Sequence, residues 1–174
     1  MSEQWRTERL LARPPQPSDR DAYRDLFLDP AVGAWLRPSP LPPYTEAEID
    51  EMLGNDQWHW TEYGFGAWTL LDRDGSVVGR GGLQWTEVDD ARVVELPWTI
   101  RSEQWSRGLG TEAAAAAIEW ARTLALPEVI ALIVPANLRS RRVAEKAGLE
   151  LDGETLHAGL PHLVYRLGLD DSDV

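Results

Sequence analysis

A segment near the middle of the chain places Arg107, Gly108 and Gly110 directly before the helix-forming run 111–121, TEAAAAAIEWA. The first N–H groups of a helix have no acceptor within the helix, and the helix dipole is positive at that end. Glycine lets a bulky anion approach the backbone, and Arg107 adds a fixed positive charge. The segment predicts a phosphate-binding turn. An ordinary loop that uses glycine to start a helix is the alternative.

Two commoner phosphate motifs are excluded by the spacing. The chain has no G-x-x-x-x-G-K-[ST] motif, and Ala113 stands where the third glycine of G-x-G-x-x-G would fall. A strand over residues 92–100 and a long helix over residues 108–124 are expected to position the turn. No parallel dinucleotide-binding unit frames it.

Composition limits the class of protein. The chain has 174 residues, 43% of them hydrophobic, which predicts a single domain over residues 1–174 with a sizeable core. It has no cysteine, so disulfides, thiolate zinc sites and a cysteine nucleophile are excluded, and we expect no metal. The polar opening MSEQWRTERL is not typical of a signal peptide, and no apolar run approaches the roughly 20 residues that span a bilayer. We therefore expect a soluble cytoplasmic protein.

The charge is negative and unevenly distributed. A formal net charge of −12 argues against nucleic acid or an anionic membrane as the main partner. Residues 101–146 nevertheless hold seven Arg or Lys against five acids. A locally basic segment in an acidic protein favours an anionic cofactor and a cationic acceptor; a chance solvated face is the alternative.

Periodicity and turn residues predict an α+β fold with a mixed, mostly antiparallel central sheet and flanking helices. Ser18 is the expected N-cap of the first helix, Thr45 and Glu48 form a capping box for the second, and Gly54 is expected to end it. Residues 37–44, RPSPLPPY, predict an exposed loop. The expected strands are 7–13, 65–71, 77–85, 92–100, 129–134, 149–156 and 163–169, and the expected helices are 18–28, 45–53, 108–124 and 138–147.

Two prolines predict a gap in the sheet. Pro97 interrupts an otherwise central strand, and because proline cannot donate to the ladder, a bulge or a locally open edge is expected there. Pro135 should stop pairing just after the apolar strand 129–134. If these strands are neighbours, they splay apart and expose N–H and C=O groups to an extended, amide-bearing ligand. Routine edge bulges are the alternative.

Three segments in this order resemble the GNAT family of N-acetyltransferases, especially its ribosomal-protein N-terminal acetyltransferase branch. The window 105–110, WSRGLG, is similar to the family's Q/R-x-x-G-x-G/A cofactor motif, with Trp105 where many members have Gln or Arg. The segment 137–151, NLRSRRVAEKAGLEL, is similar to the family's Asn-led helix. The opening 7–27, TERLLARPPQPSDRDAYRDLF, is similar to the start of that branch.

The resemblance implies acetyl-CoA as the donor. The diphosphate would bind the N–H groups from Arg107 to Thr111, and the pantetheine arm would pair with the backbone near Trp98 to Ile100 and with Asn137. The cofactor-binding residues implied are Trp98, Thr99, Ile100, Trp105, Ser106, Arg107, Gly108, Leu109, Gly110, Thr111, Asn137, Ser140 and Arg142.

Acetyl transfer to an amine needs a base, because an amine with a pKa of about 10 is protonated at neutral pH. Glu95, two residues before Pro97, is the preferred base, directly or through a water; pairing with Arg92 or facing solvent is the alternative. Glu87 and His59 are weaker candidates.

The leaving thiolate needs a proton or a hydrogen-bond donor. Many relatives carry a Tyr on the last helix where this chain has Ala144, and Ser140 is the candidate donor in its place. The missing tyrosine keeps open a second possibility, a non-catalytic acyl-CoA-binding regulatory module.

The acceptor is expected to be a primary amine, because the acidic remainder of the chain favours a cation. A protein N-terminus, a polyamine, an aminoglycoside and an amino acid all fit. The nine tryptophans are numerous for this length, and Trp35, Trp58, Trp60 and Trp85 are candidate walls of the acceptor site. The resemblance also makes a homodimer possible.

Overall fold

The computed structural model describes residues 4–169, which form five α-helices and ten β-strands. The helices are α1 Arg20–Phe27, α2 Pro30–Leu36, α3 Glu46–Tyr63, α4 Leu109–Thr123 and α5 Leu138–Lys146. The strands are β1 Trp5–Arg6, β2 Leu11–Arg13, β3 Ala67–Leu71, β4 Val77–Gly82, β5 Gln84–Val88, β6 Ala91–Glu95, β7 Trp98–Ile100, β8 Glu128–Ile133, β9 Glu150–His157 and β10 Leu160–Gly168.

The strands form two sheets in the orders β1-β2-β3-β4-β7 and β5-β6-β8-β10-β9. Every pairing is antiparallel except that of β6 with β8, which is parallel and registered at Glu95 opposite Ile130. The predicted mixed, mostly antiparallel arrangement with flanking helices is confirmed. The number of sheets was not foreseen, because each sheet change occurs inside a segment that resembles one strand.

The first sheet change lies at the predicted bulge. The segment 92–100 divides at Leu96 and Pro97 into β6, which joins the second sheet, and β7, which joins the first. The Leu96 N–H donates to the Ile130 carbonyl at 2.7 Å, and one residue later the Pro97 carbonyl accepts from the Gly82 N–H at 3.2 Å. The splayed strand pair is therefore confirmed, since β7 and β8 lie in different sheets beyond this point.

The second sheet change divides the segment 77–85, which was wrongly predicted to be one strand. Gly82 has a φ of 142°, and a Cβ there would lie 2.6 Å from the carbonyl oxygen of Gly66. Only glycine fits this close approach, so β4 ends there and β5 starts two residues later in the other sheet.

Two helix predictions need correction, and one helix was not predicted. The second predicted helix, 45–53, corresponds to α3, which runs through Gly54 and is capped by Gly64 (φ 71°). Burial of Leu53 and Trp60 outweighs the roughly 1 kcal/mol cost of an interior glycine. Ser18 is not an N-cap; a 3₁₀ turn, Pro17–Asp19, precedes α1, and the Asp19 carboxylate accepts from the Gln16 N–H.

The helix α2 was missed, although Asp29 caps it by accepting from the Ala31 N–H at 2.9 Å and Pro30 occupies its first position. The first predicted strand, 7–13, is also divided, because Thr7 to Leu10 form a turn between β1 and β2.

The core explains why α4 is rich in alanine. Ala113, Ala114, Ala117 and Ala121 are all buried in one apolar cluster that includes residues of both sheets. Small side chains let the helix lie close to the strands, so its first turn is held against β7. A smaller cluster joins α1, α2 and α3. Within residues 4–169, no helix combines the length and apolar character needed to cross a membrane.

Candidate active site

The start of α4 has the backbone geometry of an anion site. Ser106 and Gly108 both have left-handed φ values, 62° and 82°, and Gly108 is the N-cap without a side-chain cap. The first intrahelical bond runs from the Glu112 N–H to the Gly108 carbonyl at 3.0 Å. The helix therefore supplies no acceptor for the N–H groups of Leu109, Gly110 and Thr111, which remain for an external anion.

The N-terminal segment clamps this turn. The Glu112 carboxylate accepts from the Thr7 hydroxyl at 2.5 Å, from the Arg9 N–H at 2.7 Å and from Arg9 Nε at 2.6 Å. Arg9 Nη1 also donates to the Arg107 carbonyl at 2.5 Å. Burial alone would raise the pKa of Glu112, but these bonds outweigh it and hold that pKa below its usual value. The partners are 98 to 105 residues apart, so no local pattern could have revealed the clamp.

A cavity of about 600 Å³, here termed the basic cavity, opens at this turn between β7, α5 and α2. Its charged lining residues are Arg139, Arg142 and Lys146, and none of the acidic residues within 4–169 lines it. The predicted cofactor residues that line it are Trp98, Thr99, Ile100, Trp105, Ser106, Gly108, Leu109, Gly110, Thr111, Asn137, Ser140 and Arg142. Arg107 is exposed and does not belong to the lining.

Trp105 joins three parts of the basic cavity. Its indole N–H donates to the Ile100 carbonyl at 2.8 Å, and its ring lies 3.9 Å from the guanidinium carbon of Arg139. The side chain thus ties the end of β7 to the turn and to α5 through a cation–π contact. This gives the aromatic residue at the first motif position a physical role that Gln or Arg would fulfil differently.

The strand β7 is an edge strand that pairs with β4 alone. Pro97 and Arg101 bond to β4, so in the alternating antiparallel pattern Trp98 and Ile100 direct their N–H and C=O groups to the open side. The Ile100 carbonyl is occupied by Trp105. The remaining groups form the predicted open edge for an amide-bearing ligand.

The start of α5 faces the same space. Asn137 is the N-cap, and its Oδ1 accepts from the Ser140 N–H at 3.1 Å. This bond leaves the Nδ2 donors of Asn137 and the Ser140 hydroxyl available to a ligand. Both residues line the basic cavity and a second cavity beside it.

The second cavity, here termed the acidic cavity, has a volume of about 630 Å³ and lies at the split between β6 and β7. It contains four carboxylates, Glu48, Glu51, Asp56 and Glu95, and two guanidinium groups, Arg37 and Arg80. Of these side chains, Glu95 alone was predicted to have a catalytic role. The residues shared by the two cavities are Trp35, Leu36, Trp98, Thr99, Asn137 and Ser140.

Glu95 is half-buried at the end of β6, and its Oε2 accepts from Gln84 Nε2 at 2.8 Å. The alternative pairing with Arg92 is absent, because the Arg92 guanidinium lies over the rings of Trp85 and Tyr63, at 4.4 Å and 5.2 Å from their centroids. The structure therefore brings the predicted base to the junction side of the acidic cavity.

The weaker base candidates have other surroundings. His59 Nδ1 donates to the Phe65 carbonyl at 2.6 Å, and its Nε2 accepts from the Trp85 N–H at 3.0 Å. Burial lowers the pKa of His59, so the neutral ring holds α3 to β5 and has no free nitrogen. Glu87 is exposed on β5 and lines neither cavity.

Of the four tryptophans proposed as walls of the acceptor site, Trp35 alone lines the cavities, and it lines both. Trp60 is 7% exposed and donates to the Ala67 carbonyl, so it belongs to the core. Trp58 is 55% exposed and packs edge-on against Tyr63, and Trp85 packs on Phe65; neither lines a cavity. Aromatic composition alone did not distinguish core from site.

The position of the missing tyrosine is closed by packing. Ala144 is 0% exposed on the inner face of α5. Tyr165 lies near this helix, but its hydroxyl donates to Glu145 and accepts from Arg141, and it lines neither cavity. Of the residues facing both cavities, Ser140 and Thr99 carry hydroxyl groups.

Comparison with known proteins agrees with this geometry. Residues 9–150 match the family described as Acetyltransferase (GNAT) domain. The uncharacterized protein YkkB of Bacillus subtilis is 30% identical over 162 residues, which cover 91% of this chain and 92% of that protein. The crystal structure of an acetyltransferase from Agrobacterium tumefaciens is 30% identical with a TM-score of 0.81, covering 96% of this chain and 95% of that one.

A more distant structure, Mycobacterium smegmatis RimJ in complex with CoA-disulfide, has 17% identity and a TM-score of 0.73, covering 95% of this chain and 84% of that one. At this identity the likeness shows the fold alone. The family match extends over most of the chain, so the protein belongs to the GNAT acetyltransferase family and is an enzyme. Among the residues that the structure describes, no group of three or more His, Asp or Glu side chains could hold a metal ion.

Proposed function

We propose that the protein is an acetyl-CoA-dependent N-acetyltransferase that moves an acetyl group to a primary amine by direct attack in a ternary complex. The observation that carries the proposal is that a basic cavity without acids meets an acidic cavity at Trp98, Thr99, Asn137 and Ser140. A polyanionic donor suits the first cavity and a cationic acceptor suits the second.

The donor residues follow from the groups left without partners. The N–H groups of Leu109, Gly110 and Thr111 would hold the diphosphate, with Arg142 near the adenosine phosphates. The open edge of β7 and the Nδ2 donors of Asn137 would bind the amides of the pantetheine arm. The side chain of Arg107 is outside the cavity, so we assign the turn's affinity to its backbone.

The transfer itself needs three groups. Glu95, directly or through one water, takes a proton from the acceptor ammonium, and the amine nitrogen then attacks the thioester carbonyl carbon. The carbonyl oxygen becomes an oxyanion that the free Trp98 N–H is placed to stabilise. When the carbon–sulfur bond breaks, the Ser140 hydroxyl donates a hydrogen bond to the departing thiolate, and the surplus proton on the former amine nitrogen passes to that thiolate, directly or through water, to give the thiol of CoA. The products are the N-acetyl amine and CoA, and no covalent enzyme intermediate forms.

For the acceptor we propose a protein N-terminus or a small cationic amine, as in the ribosomal-protein acetyltransferase branch. The TERL opening supports this branch assignment, since Thr7 and Arg9 of that segment clamp the donor turn. The acceptor's positive charge is supported by Glu51 and Glu95, the two carboxylates of the acidic cavity that are not paired with its guanidinium groups.

The proposal is tested by incubating the protein with acetyl-CoA and separate panels of N-terminal peptides and small amines. We expect thiol release that depends on at least one amine, with an acetylated product of matching mass. A protein that only binds acyl-CoA would retain the donor and release no thiol with any amine, and that result would contradict the proposal.

A further inference from the structure

Glu95 is connected to a buried ion pair through one glutamine side chain. Arg80 Nη2 donates to Gln84 Oε1 at 2.8 Å, and Gln84 Nε2 donates to Glu95 Oε2 at 2.8 Å. All three residues line the acidic cavity. The carboxylate therefore has one oxygen held by Gln84 and one oxygen that has no hydrogen-bond partner in the part of the chain that the structure describes.

The Arg80–Asp56 ion pair, at the other end of this series of hydrogen bonds, is rigid. Arg80 Nε and Nη2 donate to the two oxygens of Asp56, each at 2.6 Å, and the Tyr23 hydroxyl donates to Asp56 Oδ2 at 3.1 Å. Arg80 and Asp56 are 7% and 6% exposed. Burial alone would lower the pKa of Arg80, but the attraction of Asp56 raises it, so the guanidinium stays charged and fixed.

A charged guanidinium determines which way the Gln84 amide points. Arginine has donors and no acceptor, so the oxygen of the amide must face Arg80. The NH₂ group of Gln84 then faces the opposite direction, toward Glu95. If the amide were flipped, its NH₂ group would face the donors of Arg80 and its oxygen would face the carboxylate of Glu95. Both hydrogen bonds would then be lost.

The fold brings these residues together by means that are not local. Gln84 and Glu95 are cross-strand partners at the end of the β5–β6 pair, and the change of sheet at Gly82 folds Arg80 back toward Gln84. Asp56 reaches Arg80 from α3. A buried ion pair contributes little net stability compared with apolar packing, so a positioning role gives a better physical account of this one.

We propose that Gln84 is a positioning residue that, oriented by the Arg80–Asp56 ion pair, fixes the carboxylate of Glu95 with one oxygen directed to the acceptor amine. The inference rests on the base role proposed for Glu95. Gln84 does not touch the reacting atoms in this assignment. It limits the rotation of the carboxylate and supplies a donor to its ionised form.

The environment of Glu95 holds other charged groups that any measurement against pH must consider. They are Glu48, Glu51 and Asp56 from α3, Arg80 from β4, Arg37 after α2, and His157 and His162 from the β9–β10 hairpin. Substitution of Gln84 removes none of these groups, and Arg80, which loses its bond to Gln84, keeps both bonds to Asp56. A change in the pH profile that also requires Glu95 is therefore assigned to the Gln84–Glu95 contact.

The test is a double-mutant cycle in the full chain, measuring kcat and KM for acetyl-CoA against pH. Gln84→Met keeps the volume of the side chain and removes both polar ends. We expect kcat to fall by roughly 10-fold, with a changed dependence of kcat on pH and an unchanged KM for acetyl-CoA. Added to Glu95→Gln, it should lower kcat no further. Gln57→Met on α3, outside both cavities, should behave as wild type.

The outcomes separate this inference from the proposed function. Losses that multiply in the double mutant, or a wild-type profile for Gln84→Met, would overturn the positioning role while acetyl transfer stands. Full activity of Glu95→Gln would remove the base role and this inference together. A wild-type protein that acetylates no amine would reject the proposed function itself. If Gln84→Met fails to fold, Gln84→Glu keeps an acceptor for Arg80 and should also depress kcat only when Glu95 is present.

Discussion

The basic and acidic cavities adjoin each other but are built by different means. The basic cavity takes its polar groups mainly from backbone near the start of α4 and along β7, with three cationic side chains around them. The acidic cavity takes its polar groups from side chains on α3, β4, β5 and β6, linked by hydrogen bonds. A site made of main chain depends on local conformation, whereas a site made of side chains depends on which elements meet.

This difference has a functional consequence. Most side-chain substitutions leave backbone N–H groups in place. A site built from them for the acetyl donor can therefore stay constant while the acceptor site beside it changes. We expect variants of the acidic cavity to alter turnover and acceptor choice, and variants around α4 to alter donor affinity. The following measurements challenge that separation, in order of decreasing effect.

Glu95→Gln should give the largest change. Because the proposed base is lost and the basic cavity is untouched, we expect kcat to fall by about 100-fold or more with an unchanged dissociation constant for CoA. Steady-state kinetics and calorimetric titration measure the two quantities. Glu87→Gln, an exposed carboxylate on the adjacent strand that lines neither cavity, is the matched control. Equal losses in both variants would show that Glu95 acts only through the net charge.

Arg142→Gln should have the reverse effect. Removing one cation from the basic cavity should weaken CoA binding by about three- to tenfold, less at high salt, with kcat at saturating donor unchanged. Binding titrations at two ionic strengths check this. Arg122→Gln, which removes an exposed arginine at the far end of α4, should leave the affinity as it is. A fall in kcat for Arg142→Gln would break the separation of the two cavities.

Glu112→Gln tests whether the N-terminal clamp preforms the donor turn. We expect a loss of about 1.5 kcal/mol in the free energy of unfolding and weaker CoA binding, because bonds to the ionised carboxylate are lost. The folded pKa of Glu112 lies below its unfolded value, so this stabilisation is present above the unfolded pKa and is lost as the pH falls through the folded pKa. The difference in stability between the wild type and the variant should therefore narrow below about pH 4.

Denaturant titrations at several pH values measure that difference. Glu119→Gln on the same helix, where the carboxylate is exposed and paired only with Arg122, should show a much smaller change. A difference between wild type and Glu112→Gln that does not depend on pH would contradict the clamp.

Two glycine substitutions should give small effects of opposite sign. Gly54→Ala lies inside α3 with no atom within 4 Å of the new Cβ, so we expect stabilisation of about 0.5–1 kcal/mol. Gly108→Ala, at a φ of 82° and 3.2 Å from Arg9 Nη2, should destabilise by about 1 kcal/mol. Thermal unfolding distinguishes the two. Destabilisation by Gly54→Ala would mean that α3 is interrupted there after all.

The success of the sequence predictions follows the same division. The turn at Gly108, the long α4 and the helix that starts at Leu138 were found because each is a local pattern with its own backbone requirement. The predicted extent of α3 was wrong because it assumed that Gly54 ends the helix. Burial of Leu53 and Trp60 determines where this helix ends, and that burial cannot be read from the position of a glycine. The prediction that Trp58, Trp60 and Trp85 form walls of the acceptor site failed for the same reason, because it also depends on which side chains are buried.

The amino-acid sequence by itself determined the backbone of the basic cavity: the glycines and proline that shape it, and the helix whose first turn is left without acceptors. Tertiary structure alone decided the acidic cavity and the side-chain contacts that hold the turn before α4. The clamp of Thr7 and Arg9 on Glu112, and the link from Asp56 through Arg80 and Gln84 to Glu95, join residues that only the packed sheets bring within hydrogen-bond distance. Backbone conformation is encoded over a few residues, but the partners of a side chain are set by the whole fold.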